Sequence, residues 1–208
     1  MHQQDLRGFL DRLAGHNELR AIRSEVDWDL EAAAIARRSN EKKGKAVLFE
    51  KLKDYPKGYR IVSSATASMR RIAIGFDLPP ETSYGDLMDV YIERHEKPIK
   101  PILVSTGPCK EKIMTGKDVD LLHFPVPMIH EGDGGRYFGT LCAGACKDPD
   151  SDWVNWGTYR MMVHDHQTMG AYLSAANHGG IILRKYRGLN RPMEYRSEER
   201  RVGKECRL

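Results

Sequence analysis

Cysteine is scarce in this chain, with only four in 208 residues. Cys109, Cys142, Cys146 and Cys206 show neither a disulfide framework nor the paired spacing of a zinc site. In Thr140-Leu141-Cys142-Ala143-Gly144-Ala145-Cys146 strand alternation puts Cys142 and Cys146 on one face, which favours small buried thiols over half a metal site. Long apolar runs are missing too. None approaches the roughly 20 residues that cross a bilayer, so no membrane span is expected. Met1-His2-Gln3-Gln4-Asp5 lacks the charged-then-apolar layout of a secretory signal, which makes the expected location cytoplasmic. Neither sign of charge dominates. Residues 195–208 hold five Lys or Arg and three Glu and so supply +2 of the formal +4, which leaves 28 basic against 26 acidic side chains. Without a basic stripe interleaved with aromatics, no nucleic-acid partner is expected.

What is present is ordinary for a globular protein: 40% hydrophobic and 30% charged residues, in a length that holds one sizeable domain or two small ones. Leu6, Phe9, Leu10 and Leu13 recur at helical spacing behind Asp5, a natural cap. Residues 29–38 place acidic residues first and arginines last, as a helix dipole prefers. Further helices are predicted over 69–76 and 84–96, and strands over 46–49 and 59–62. After about residue 97, strand-like segments and Pro/Gly turns take over and helix signals fade. The pattern predicts an α+β protein: an N-terminal mixed α/β domain over residues 1–109, then a small antiparallel domain over 110–194. From Tyr195 both hydrophobic periods are lost, so residues 195–208 are expected to be non-native or unstructured.

The chemistry concentrates in Asn155-Trp156-Gly157-Thr158-Tyr159-Arg160 and Asn177-His178. Between them Met161-Met162-Val163, a polar turn at His164-Asp165-His166-Gln167, and the stretch from Met169 to Leu173 read as two strands and a turn. An amide oxygen and an imidazole nitrogen suit a hard or borderline divalent ion. An arginine suits a bidentate grip on phosphate or carboxylate. By spacing alone, a turn asparagine, a satisfied polar histidine and a solvent-facing arginine are the favoured readings.

Order along the chain shifts that balance. The segment Asp5-Leu6-Arg7-Gly8-Phe9-Leu10-Asp11-Arg12-Leu13, then Phe124-Pro125-Val126-Pro127, Glu131-Gly132-Asp133-Gly134-Gly135-Arg136-Tyr137 and the Asn155 to Arg160 run resemble the UbiD-like decarboxylases. The likeness covers residue 5 to about 193. It implies that the second domain is part of a split β-barrel of flavin-binding type. It also implies prenylated FMN as cofactor, with manganese as the divalent cation and potassium as a further one. Asn155 and His178 would hold the metal, Thr158, Tyr159, Arg160, Asn177 and His178 would line the cofactor, and Arg160 would also hold the substrate carboxylate.

The implied reaction is a non-oxidative, reversible decarboxylation of an aromatic or α,β-unsaturated acid through a flavin adduct. The alternative is a flavin-phosphate and metal binding module without catalysis. In the family, the proton-returning acid and a further metal-binding glutamate come later than residue 208, so the chain is expected to be the front part of an enzyme, inactive alone, whose full-length parent is a homo-oligomer. Glu131 and Asp133 are expected to order their turn rather than to move protons.

Overall fold

The structure is a computed structural model and describes residues 5–199 apart from 100, 101, 103, 108, 109, 139 and 141. The chain divides into two compact units, one running to Pro125 and the other beginning at Val126.

The first unit is built around strand β2 (Ala46–Phe49), whose four residues are all buried. It pairs in parallel with β1 (Leu19–Ile22) and antiparallel with β3 (Ile61–Ser63), giving the order β1-β2-β3. Because side chains alternate along a strand, β2 feeds two cores. Ala46 and Leu48 pack with Phe9, Leu10 and Leu13 of α1 (Leu6–Gly15) and Ile74 of α3 (Met69–Gly75). Val47 and Phe49 pack with Val26, Leu52 and Ala32 of α2 (Glu31–Glu41). Helices therefore cover both faces of the sheet. Asp5 caps α1 by accepting from Gly8 N at 3.0 Å, and Ser83 caps α4 (Tyr84–Glu96) through Asp86 N at 3.2 Å. The start of α2 has no side-chain cap. Leu30 has a φ of 63°, and the turn is closed instead by Asp27 N donating to Glu31 Oε2 at 2.7 Å.

The second unit holds two small antiparallel sheets. Strand β4 (Cys142–Lys147) lies between β5 (Val154–Gly157) and β8 (Arg196–Glu199). Strands β6 (Met161–Val163) and β7 (Met169–Ala171) form a hairpin, its turn held by Asp165, which accepts from Gln167 N and Thr168 N at 2.8 Å each. The α+β class is as the sequence predicts, but no closed barrel forms among the described residues. Cys142 and Cys146 are free, buried and on one face of β4, as alternation predicts. Asp133 orders its loop by accepting from His130 N at 3.1 Å.

Two features depart from the sequence reading. Helix α5 (His178–Gly188) stands where helix signals were expected to fade. Residues 196–199, assigned from sequence to an unstructured tail, pair with β4 from Cys142↔Glu199 to Ala145↔Arg196. No helix among the described residues is long and apolar enough to cross a membrane.

Candidate functional site

Asn155 sits in β5 directly opposite Cys146 of β4 and is only 4% exposed. A buried primary amide must find partners. Its Nδ2 donates to the Tyr159 hydroxyl at 2.9 Å and lies 3.7 Å from Cys146 Sγ. Both bonds leave through nitrogen, so Oδ1 is uncommitted among the described residues. Burial pushes the Cys146 thiol up. It therefore stays protonated at neutral pH in the metal-free protein.

Two glycines make room for this arrangement. Gly144 and Gly157 are directly paired across β4 and β5. A Cβ on Gly157 would lie 2.6 Å from the Tyr159 ring, and one on Gly144 would lie 1.7 Å from the Tyr195 hydroxyl. The two tyrosine rings thus lie over a paired-glycine slot, their centroids 6.3 Å apart. A third glycine completes the seat: a Cβ on Gly179 would be 2.8 Å from Tyr159 Cζ.

Gly179 belongs to α5, and its N–H donates to the Tyr159 hydroxyl at 2.9 Å. The same phenol oxygen therefore receives the amide of Asn155 and the backbone of the residue after His178. His178 opens α5, and its ring meets Trp153 edge-on with centroids 5.0 Å apart. The Tyr159 hydroxyl links Asn155 of β5 to Gly179, the residue after His178, and that link runs to the start of α5 rather than through the β6–β7 hairpin.

Asn177 caps α5 by accepting from Gly180 N at 2.8 Å, so its side chain is engaged in holding the helix. The α5 terminus is correspondingly closed as an anion cradle. Gly179 N serves Tyr159, Gly180 N serves the Asn177 side chain, and Ile181 N bonds Asn177 O at 2.9 Å. The helix dipole still favours negative charge there.

Thr158 and Arg160 are exposed in the segment between β5 and β6. Arg160 is framed by aromatic rings, its guanidinium carbon 6.0 Å from the Tyr137 centroid and 5.3 Å from that of Tyr172. These distances permit cation–π support, which orders the fork without using its donors. Tyr172 N also bonds Arg160 O at 3.1 Å.

Sequence reasoning missed α5 and the role of Tyr195. Asn177 as cap and Lys185 and Arg187 in the last turn were available as helix signals, but Gly179-Gly180 weakens the helical pattern.

For a divalent ion, the donor set fits at two positions. One is the free Asn155 Oδ1, and the other is the His178 imidazole, which makes no hydrogen bond among the described residues. No cluster of three or more His, Cys, Asp or Glu able to hold a metal occurs among those residues. Two neutral ligands beside a positive helix end hold a dication weakly unless an anion joins them.

Comparison with known proteins gives one consistent answer. Residues 10–91 match the 3-octaprenyl-4-hydroxybenzoate carboxy-lyase N-terminal domain, and residues 100–196 match the Rift-related domain of the same carboxy-lyase, UbiD. The chain is 36% identical over 197 residues to pyrrole-2-carboxylic acid decarboxylase of Pseudomonas aeruginosa, covering 90% of this chain and 40% of that one. It is 34% identical over 172 residues to ferulic acid decarboxylase 1 of Saccharomyces cerevisiae, covering 77% and 34%. Vanillic acid decarboxylase of Sedimentibacter hydroxybenzoicus in its closed form superposes with a TM-score of 0.87 at 30% identity, over 94% of this chain and 42% of that one. The UbiD-class enzyme HmfF from Pelotomaculum thermopropionicum, solved with FMN, gives 0.80 at 28% identity over 91% and 41%. The chain spans about two-fifths or less of the length of these relatives.

Proposed function

Because the chain belongs to the UbiD carboxy-lyase family, we propose that it carries the flavin-holding part of a non-oxidative, reversible (de)carboxylase for an aromatic or α,β-unsaturated acid. The relatives named for pyrrole-2-carboxylic, ferulic and vanillic acids support that substrate class. A split barrel of flavin-binding type, prenylated FMN and a cytoplasmic homo-oligomer belong to the same reading. Manganese is the cation we assign to Asn155 and His178, while potassium is carried over from the resemblance alone.

The observation that carries the proposal is the shared phenol oxygen: Tyr159 fixes Asn155 and the start of α5 to one point. In this reading Asn155 Oδ1 and the His178 ring would hold the cation, which would supply positive charge for the flavin phosphate. Thr158 and the 159–160 backbone line the cofactor, and Asn177 keeps the helix start in place. Arg160, ordered between Tyr137 and Tyr172, holds the substrate carboxylate. The bound flavin supplies the electron sink for loss of carbon dioxide. A positioned acid must then return a proton. None of the contacts of Asn155, Arg160 or His178 among the described residues is with a carboxylate. We assign that acid to the part of the whole protein corresponding to the relatives' remaining length.

Metal and phosphate should bind together. Titration of residues 1–208 with FMN is expected to show affinity raised roughly tenfold or more by manganese, with the gain lost in Asn155→Ala and His178→Ala. Equal FMN affinity with and without manganese would overturn the assignment. With prenylated FMN supplied, the chain alone is expected to turn over an aromatic acid about 10²–10⁴-fold more slowly than the whole protein. The lack of a contacting carboxylate also suits the second reading, a non-catalytic flavin-phosphate and metal module. A whole protein that retained flavin and manganese yet turned over no acid would establish it.

A further inference from the structure

We infer that Tyr159 is a positioning residue that fixes which end of the Asn155 amide faces the cation. The inference rests on the metal assignment just made and concerns a step that assignment leaves open. A primary amide has two ends of nearly identical shape, and only the oxygen can ligate a cation. Some neighbour must therefore distinguish oxygen from nitrogen.

Asn155 faces two groups with that capacity. Cys146 Sγ, 3.7 Å from Nδ2, is a weak acceptor. The Tyr159 hydroxyl at 2.9 Å is the strong one. It accepts from Gly179 N at the same distance. Asn155 Nδ2 and Gly179 N both donate to the phenol oxygen, so in this arrangement its lone pairs, and not its hydroxyl proton, meet the amide. Nδ2 is held inward and Oδ1 is turned away from the tyrosine.

Packing removes the remaining freedom. Tyr159 is 6% exposed, and its ring is seated against Gly157 and Gly179, where any Cβ would approach it within 2.9 Å. The ring cannot swing aside to release the amide. Partners that orient a metal ligand in this way are typically worth about 10–100-fold in metal affinity.

The test uses Tyr159→Phe, which keeps the ring in its glycine seat and removes only the acceptor. Two readouts apply to residues 1–208. In metal-free protein, the Asn155 side-chain NH₂ resonances should be slow to exchange with solvent in the wild type and fast in Tyr159→Phe. In titrations with manganese and FMN, Tyr159→Phe should weaken the manganese-dependent part of FMN binding by roughly 10–100-fold.

Asn155→Asp separates orientation from general loosening. A carboxylate has two equivalent oxygens and needs no orienting, so adding Tyr159→Phe to Asn155→Asp should weaken binding by less than about threefold on the same reasoning. If Tyr159→Phe costs as much on top of Asn155→Asp as it does in the wild type, or leaves NH₂ exchange unchanged, the inference is overturned while the metal assignment stands. Wild-type protein that shows no manganese-dependent FMN binding overturns the assignment, and this inference with it.

Discussion

The Tyr159 hydroxyl lies 2.9 Å from Asn155 Nδ2, and that single bond ties the inner face of β5 to the start of α5 through the next bond, from Gly179 N. Nothing in the linear order of residues announces it. Its geometry depends on glycines that let chain segments approach more closely than any side chain allows.

Those close approaches give opposite signs for two glycine substitutions. A Cβ on Gly180 would lie 1.9 Å from the backbone oxygen of Ser174, which no rotamer change relieves. Gly180→Ala should cost about 3 kcal/mol. Gly85, in the first turn of α4, has only Ser83 Oγ at 3.8 Å near a built Cβ. Gly85→Ala should therefore stabilise by up to ~1 kcal/mol, because it lowers the entropy of the unfolded chain. Hydrogen exchange read separately for the two units distinguishes these effects.

In the first unit, Arg71 is 3% exposed. Its Nη1 donates to Glu18 Oε2 at 3.3 Å and to Gly44 O at 3.0 Å. Glu18→Ala strands the buried Arg71 guanidinium and should cost about 3 kcal/mol, while Arg71→Ala should cost less, because Glu18 keeps its bond from Arg70 Nε at 3.0 Å. Replacing both with leucine should cost clearly less than the sum of the single losses. Denaturant midpoints of the three variants measure this, and strict additivity would refute it.

Acid should weaken the second unit. Asp148 is buried and accepts from Lys185 at 2.7 Å and from Ser151 at 2.8 Å. The Lys185 ammonium first, then the Ser151 hydroxyl, hold its carboxyl below the ordinary 3.8. A depressed native value means that the unfolded state takes up the proton first. The contribution is thus complete above pH 3.8 and lost as pH falls through the lower native value. Lys185→Met should be less stable than wild type at neutral pH, and the gap should close as the pH drops below that range. A gap unchanged down to acid unfolding would refute the prediction.

How much was legible varied with how local each signal was. Helix α4 was readable from residue 84 to 96 because Ser83, Leu87 and the charges that follow all act within one helix. The thiols of Cys142 and Cys146 were placed on one face by period two alone. Helix α5 was missed because Gly179-Gly180, costly in an isolated helix, is explained only by Tyr159 and Ser174, which lie outside the helix. Strand β8 was missed because Arg196-Ser197-Glu198-Glu199 carries no apolar alternation. Its pairing comes from main-chain register with β4, to which side-chain pattern is blind. The types of residue at Asn155, Arg160 and His178 suggested their chemistry, while the phenol that joins two of their segments was visible only in three dimensions.

The residue just before β8 supplies the last prediction. The Tyr195 hydroxyl is buried and has no hydrogen-bond partner among the described residues, its ring lying over Gly144. A buried hydroxyl that finds no partner costs about 1–3 kcal/mol of lost hydration. Tyr195→Phe keeps the ring and removes the orphaned group, so it should stabilise the second unit by about 1 kcal/mol. Burial, followed by the proximity of Cys142, Cys146 and Tyr159, pushes the phenol up to about 12 from its ordinary 10.0. The native state therefore keeps its proton over a range in which the unfolded chain has lost it. The Tyr195 contribution to stability should be flat below pH 10 and fall between 10 and about 12, and that fall should be absent in Tyr195→Phe. Tyrosinate absorbance against pH should show one phenol fewer in the variant, missing from the late, high-pH part of the curve. If the variant instead lost a phenol that ionises near the ordinary 10.0, Tyr195 would be solvated in solution, and neither the stabilisation nor the alkaline slope would follow.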